Sequence, residues 1–434
     1  MTGDHDRFLV AAERIGRRLC RDAIWSDGRC GWLGWAMEPR AGQWVTAYRA
    51  MGTNLYDGTC GIGLFLALLA ALTGDPIIRA TAEAALAQAL TAVNAPAASG
   101  EYGFYSGLCG IAWACREAGT ALQHEALIAQ GEAALLAAAR ITPSRQRIDV
   151  INGSAGLVPI LIEAAARTQC EELLASAVRH GEQLLDLAER GESGWSWDTL
   201  GMANERHLLG FAHGVSGIAC ALAALAQAAG RAGFLNGARE ALRYERAHFR
   251  AAEGNWPDLR SFSQPAQGGA PPCMVAWCHG APGIGMARLD LHRLWPQEPE
   301  ILAEAEIAIH TTAATLAPAS AQRLGNFSLC HGEGGNADLL IIAADLLDRP
   351  ELRSQAEAVG ICGIEQCEDR GLPWPCGVPG AGETPNLMLG AAGIGYFLLR
   401  LYDSKNTPTV LLPGSRPIEA VVEPPAAVPL AVSS

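Results

Sequence analysis

The chain carries seven copies of a short Gly-x-x-Gly motif, starting at Gly58, Gly107, Gly153, Gly214, Gly280, Gly332 and Gly390. In six of the seven, Ile or Leu follows the second glycine, and successive copies lie 46 to 66 residues apart. This self-similarity constrains the fold more than any other feature, because a unit of that length cannot bury its own apolar face and must stack on its neighbours. Between motifs an Ala- and Leu-rich apolar run comes first, then an amphipathic run with Glu, Arg and Gln on one face. In the first repeat these runs are Ile62 to Leu72 and Ile77 to Val93, with Gly74-Asp75-Pro76 as the turn. In the third they are Ser154 to Ala166 and Glu171 to Leu187. Two helices per repeat give fourteen in all, an all-α chain with an inner ring of seven apolar helices wrapped by seven outer ones. Small residues at the start of every inner helix then let seven backbones converge near one axis.

Half of the 434 residues are hydrophobic, enough for one large core, and repeats spread along nearly the whole chain argue for a single domain. A net charge of -13 and the lack of a basic tract disfavour nucleic acid and anionic membrane surfaces as partners. Met1 to Val10 lacks the apolar core of a secretion signal, and the longest uncharged stretches are broken by Gly, Thr, Ser, Gln or His. The expectation is a cytoplasmic protein with no membrane span. Thirteen cysteines in such a chain need an explanation other than disulfides. Cys20, Cys60, Cys109, Cys115 and Cys220 sit among Ala and Leu and read as small buried hydrophobes.

In the ring, the residues just before each motif face one another at its mouth, where the positive ends of the inner helices point. They are Asp57, Ser106, Asn152, His213, His279, His331 and Leu389. Two copies also place cysteine one residue earlier, as Cys278-His279-Gly280 and Cys330-His331-Gly332. Two thiolates and one imidazole with an open fourth position are the donor set of catalytic zinc. One Cys-His pair in a cysteine-rich chain is usually coincidence, but two at equivalent points of a repeat point to a metal. The residues alone leave His279 and His331 open as the third ligand.

The segments Trp277-Cys278-His279-Gly280-Ala281-Pro282-Gly283-Ile284-Gly285, Leu329-Cys330-His331-Gly332 and Gly210-Phe211-Ala212-His213-Gly214 resemble the LanC-type lanthionine cyclases. The resemblance is greatest to the C-terminal cyclase domain of class II lanthipeptide synthetases (LanM). Leu55-Tyr56-Asp57-Gly58, Gly382-Glu383-Thr384-Pro385 and Pro408-Thr409-Val410-Leu411-Leu412 match as well, so the likeness covers roughly residues 7 to 413. It implies an α/α toroid over 1–413 with zinc (Zn2+) held by Cys278, Cys330 and His331. His279 then lies beside the metal as a catalytic neighbour, His213 corresponds to the acid/base histidine, and Asp149 to an aspartate that orients or charges a histidine. On its residues alone, an Asp before a glycine turn is as often a cap or Asx turn.

The implied reaction adds a peptide cysteine to dehydroalanine or dehydrobutyrine, forming a lanthionine or methyllanthionine thioether. Two departures stand out. Cys273-Met274-Val275-Ala276 holds no basic residue, so the enolate-stabilising contact that stand-alone cyclases make from there has no counterpart at those positions, and Asn336 replaces the usual Ile or Leu. The chain opens almost at the first toroid helix, so dehydration is expected from a separate dehydratase acting on the precursor peptide. Two other readings keep the fold: glutathione addition to dehydrated residues, and a zinc-stabilised scaffold in a synthetase complex.

Among the remaining segments, residues 23–57 with Trp32, Trp35 and Trp44 read as an irregular or β-like aromatic lid. Cys362, Cys367 and Cys376 fall off the motif positions and suggest no second metal site. Ser261 to Pro272 reads as a flexible rim loop, and 414–434 as a disordered tail.

Overall fold

A computed structural model describes residues 4–40, 43–95, 100–201, 206–260, 269–316 and 325–415. The tail from residue 416, the rim loop at 261–268 and the Trp44 side chain lie outside the described residues.

Each motif opens a helix. The seven inner helices are α2 (Thr59–Thr73), α4 (Leu108–Leu122), α6 (Ser154–Thr168), α8 (Val215–Ala229), α10 (Ala281–Leu294), α12 (Glu333–Leu347) and α14 (Ala391–Tyr402). Six are followed at once by an outer helix: α3 (Pro76–Leu90), α5 (Glu125–Ala139), α7 (Glu171–Leu187), α9 (Ala232–Ala247), α11 (Pro299–Thr315) and α13 (Pro350–Gly363). The repeat pattern expects a seventh outer helix after α14. The structure draws it instead from the other end of the chain: α1 (Asp4–Arg21) packs against α14 and closes the outer layer.

The inner helices touch in sequence, and α14 returns to α2, so the ring is closed. They are apolar nearly all round; in α14 every residue from Ala391 to Leu401 is buried. Among the outer helices, α3, α11 and α13 carry proline in their first turn, and α3 is also capped by Asp75, whose carboxylate accepts the Ile77 and Ile78 amides. Four of the five cysteines expected in the core are buried, and Cys20 is half-buried.

The motif glycines have a more local cause than convergence on an axis. At the second glycine of every copy, a Cβ would clash with the carbonyl of the residue six positions earlier: Leu55 for Gly61, Phe104 for Gly110, Val150 for Gly156, Phe211 for Gly217, Trp277 for Gly283, Leu329 for Gly335 and Leu387 for Gly393. Those seven side chains are all buried. The entering turn therefore folds over the first turn of its own helix, and only glycine leaves room for it.

The expected lid is β structure. Strands β1 (Ile24–Ser26) and β2 (Arg29–Gly31) form one antiparallel pair, β3 (Leu33–Arg40) and β4 (Gln43–Ala50) another. Trp32 is core, donating its indole N–H to the Leu19 carbonyl at 2.8 Å, while Trp35 packs edge-on against Tyr48. The second hairpin sits at the mouth of the ring, since Thr384 donates to the Trp35 carbonyl and Arg49 pairs with Asp57 at 2.7 Å. A third pair, β5 (Glu189–Gly191) and β6 (Gly194–Ser196), lies after α7. Residues 408–412 cross the inside of the ring: the Val410 carbonyl accepts from Tyr105, and that of Leu411 from Trp277.

Candidate metal centre

The turns that precede the inner helices are joined to one another by main-chain hydrogen bonds. Tyr56 donates to Tyr105, Tyr105 to Ile151, and Val150 to Ala212; Cys278 donates to Cys330, Cys330 to Met388, and Met388 to Tyr56. Six of the seven junctions are thus bonded in one sense around the mouth. Side chains on these turns inherit a rigid frame, which gives the site precision that free loops lack.

Cys278 and Cys330 occupy the same place on neighbouring turns, and their thiols meet with His331 so that the three ligand atoms all lie within 4.8 Å of one another. A tetrahedral zinc with arms of about 2.3 Å has edges of about 3.8 Å, so this donor set fits that ion. His331 donates its Nε2 proton to the Gly377 carbonyl at 2.8 Å, which leaves the Nδ1 lone pair for a metal. The two thiols share a hydrogen bond that pushes Cys278 well up, with burial adding to it, and holds Cys330 down. Tyr56 extends this group: its hydroxyl is a hydrogen-bond partner of Cys330.

Beside the thiols stands His213, with Nδ1 2.6 Å from Asp149 Oδ2. The aspartate side chain is 4% exposed and the histidine 30%, so the ring keeps one edge toward solvent. Burial alone would lower the His213 pKa; the charge and hydrogen bond of Asp149 overcome it and raise the value above 6.5. The Asx-turn reading of Asp149 also holds, because its Oδ1 accepts the Asn152 amide at 2.7 Å. One carboxylate both shapes its turn and grips the histidine.

His279 falls outside the three-atom group. Its ring lies 6.3 Å from that of His213, tilted by 27°. It is 2% exposed, and burial, then the charge of Arg260, push its pKa down to about 3. His279 is therefore neutral, with a buried Nε2 that has no hydrogen-bond partner.

Several participants escaped the sequence reading. Arg260 puts a cation at this site, although residues 273–276 hold none: its charge acts on His213, His279, Cys278 and Cys330. It is held by Asp258 at 2.7 Å and by Met274 Sδ at 3.3 Å. No spacing rule could have found it, since it lies 18 positions before Cys278 and off the repeat positions. Asn336, the departure in the sixth repeat, donates to the Val275 carbonyl at 3.0 Å and so steadies the base of the Cys278 turn.

Among the solved structures similar to this chain is nisin cyclase, with a TM-score of 0.61 at 17% identity over 82% of this chain and 90% of that one. Two unsaturated glucuronyl hydrolases, one from Bacillus sp. GL1 and one specific for heparin, follow at 16% and 15% identity, each with a TM-score of 0.43 and 82% of its length covered, over 70% and 71% of this chain. No curated protein sequence matches the chain. The family model described as lanthionine synthetase C-like protein matches residues 49–412, a span that runs from the end of β4 through every motif to the segment inside the ring, and the chain belongs to that family.

Proposed function

We propose that the protein is a zinc-dependent lanthionine cyclase that closes thioether rings in a dehydrated peptide. The observation that carries this reading is the meeting of a soft three-ligand set, Cys278, Cys330 and His331, with the His213–Asp149 pair at one mouth of the ring. Zinc held by that set supplies acidification of a peptide cysteine, and two anionic ligands keep the resulting thiolate reactive.

The rest is the work of the chain's own side chains. Neutral His213, its Nδ1–H fixed on Asp149, has Nε2 to accept the thiol proton, and Asp149 stabilises the imidazolium that forms. A sulfur–carbon bond forms at the β-carbon, the π pair moves to the α-carbon and its carbonyl, and His213 returns the proton to the α-carbon. Thiol and alkene become a thioether with nothing left over. Arg260 favours negative charge on the enolate oxygen. His279, held neutral, places a flat ring beside His213 without a competing charge. The substrate in this reading is a precursor peptide dehydrated by a separate dehydratase in the cytoplasm, and the motifs favour the class II (LanM) type.

The test is zinc content by elemental analysis together with loss of free thiol from a pre-dehydrated Ser/Cys peptide. About one zinc per chain with thioether formation supports the cyclase. Thiol loss only when glutathione is supplied would transfer the assignment to glutathione addition. Zinc without either activity would leave a scaffold.

A further inference from the structure

Around the mouth, one junction differs from the other six. Among the described residues no main-chain hydrogen bond joins the turn of His213 to the turn of Cys278, the two whose spacing matters most for the chemistry. The turns still approach closely: Gly210 has φ +91, and a side chain there would press on the Cys278 carbonyl. Side chains span this junction instead: His279 hydrogen-bonds the main chain of Leu209 on the His213 turn, and a buried ion pair ties that turn to α10. Glu245 of α9 and Arg288 of α10 are both 0% exposed and 2.8 Å apart. Glu245 Oε1 accepts the Gly210 amide at 2.8 Å, and its Oε2 accepts the Ser216 hydroxyl at 2.5 Å. Arg288 reaches Ser216 as well and is anchored on its far side by Glu304 at 2.5 Å. His213 lies between Gly210 and Ser216, so a single carboxylate grips both of its flanks. Arg288 lies on the helix that starts at Ala281, two residues after His279.

We infer that the Glu245–Arg288 pair positions His213 against the metal ligands, taking the place of the missing main-chain bond. Stability alone does not account for it, because replacing a buried ion pair by apolar side chains of similar volume is often neutral or favourable. What an apolar pair cannot supply is directed acceptors for an amide and a hydroxyl on two sides of one histidine. The inference rests on the reading of Cys278, Cys330 and His331 as a metal site and of His213 as the proton carrier.

The test uses the full chain loaded with Co2+ in place of zinc, with histidines labelled by 15N, so that the cobalt–thiolate band reports the metal site and the paramagnetic shift of His213 reports its distance from the ion. Glu245→Gln with Arg288→Met removes the charges and the tie to α10, keeps an acceptor for Gly210, and avoids stranding one buried charge. Ser216→Ala removes only the hydroxyl arm and guards against a double variant that fails to fold. The expected result in both is an unchanged cobalt band, a displaced His213 resonance, and kcat for thioether formation lower by about tenfold to a hundredfold with KM unchanged, the scale of a misplaced catalytic group. Wild-type His213 shifts and kcat in folded variants, with only a lower Tm, would overturn the inference and leave the pair a packing feature. A wild-type protein that shows no cobalt–thiolate band overturns the reading of the site, and this inference with it.

Discussion

Asp149 divides its carboxylate between the Asn152 amide at 2.7 Å and His213 Nδ1 at 2.6 Å, so the residue that shapes the third turn also sets the charge of the histidine on the fourth. Asp149→Asn separates the two duties, since an amide oxygen still accepts from Asn152 while the negative charge is gone. His213 then loses the cause of its raised pKa, and the pH profile of thioether formation moves its histidine limb to lower pH. His213→Asn removes the proton carrier itself, and we expect a loss of about 10²- to 10⁴-fold in kcat/KM, with Asp149→Asn losing less. A pH profile of Asp149→Asn superimposed on that of the wild type would separate the two residues in function.

The same pair predicts a stability signature. A histidine whose folded pKa is raised stabilises fully below its unfolded value of about 6.5 and loses that contribution as pH rises through the folded value. The Tm difference between wild type and Asp149→Asn is therefore expected to be largest on the acid side of neutrality and to shrink toward alkaline pH. A difference that is flat across that range would show that Asp149 acts through its Asn152 bond alone.

Arg260 acts on His213 in the opposite sense, its cation lowering a pKa that Asp149 raises. Arg260→Gln is thus expected to move the histidine limb upward, while also slowing the reaction through loss of a charge facing the enolate. Opposite displacements in Arg260→Gln and Asp149→Asn, measured by pH profiles on one peptide, mark both as neighbours of the same histidine. A slower reaction with an unmoved limb would confine Arg260 to substrate contact.

The site could be read from the sequence only where its residues fall on the repeat. Cys278, Cys330, His331, His279 and His213 all sit one or two places before a motif glycine, so seven aligned copies suffice to put them at one mouth. Arg260, Glu245 and Arg288 occupy no such position. They arrive from an irregular loop, an outer helix and the middle of an inner helix, and nothing local distinguishes Arg288 from the surface arginines nearby. The helices were legible to within a few residues, as for 77–93 against α3, because apolar periodicity and Gly and Pro punctuation are local signals. Completion of the outer layer by α1 was not, since it depends on contacts between α1 and α14, which are far apart in sequence.

His180 offers a check on acid stability away from the metal. It accepts or donates a 2.8 Å bond with Ser154 through Nδ1, and burial, aided by the charge of Arg179, pushes its pKa down to about 4. The unfolded chain protonates this histidine near pH 6.5 while the native one does not, so each unit of pH below that costs the fold up to about 1.4 kcal/mol for the group. His180→Gln is expected to lose less Tm between neutral pH and pH 5 than the wild type. Parallel losses would mean that His180 is protonated without unfolding.

Removal of the metal tests the three ligands as a set. Anything that binds only the folded chain stabilises it, by about 4 kcal/mol when present at a thousandfold over its dissociation constant. Chelation is therefore expected to lower Tm in the wild type and to do nothing in Cys330→Ala or His331→Ala, which lack the site from the start. His279→Ala is expected to keep its zinc and its response to chelator. Loss of zinc from His279→Ala with retention in His331→Ala would reverse the ligand assignment.

Gly335 tests the account of the motif itself. Its Cβ would run into the Leu329 carbonyl, which belongs to backbone that cannot swing aside because the next residue, Cys330, is bonded on both sides to neighbouring turns. Overpacking of this kind costs about 1–3 kcal/mol where side chains can yield, and more where main chain must move. Gly335→Ala is expected to lower Tm steeply and to release zinc, since Cys330 and His331 ride on the displaced turn. Gly382 has open space around it, so Gly382→Ala is the control and should change stability by no more than about 0.5 kcal/mol. If Gly335→Ala keeps its Tm and its zinc, the glycines serve convergence of the inner helices on the axis, and the turn-over-helix explanation of the seven copies fails.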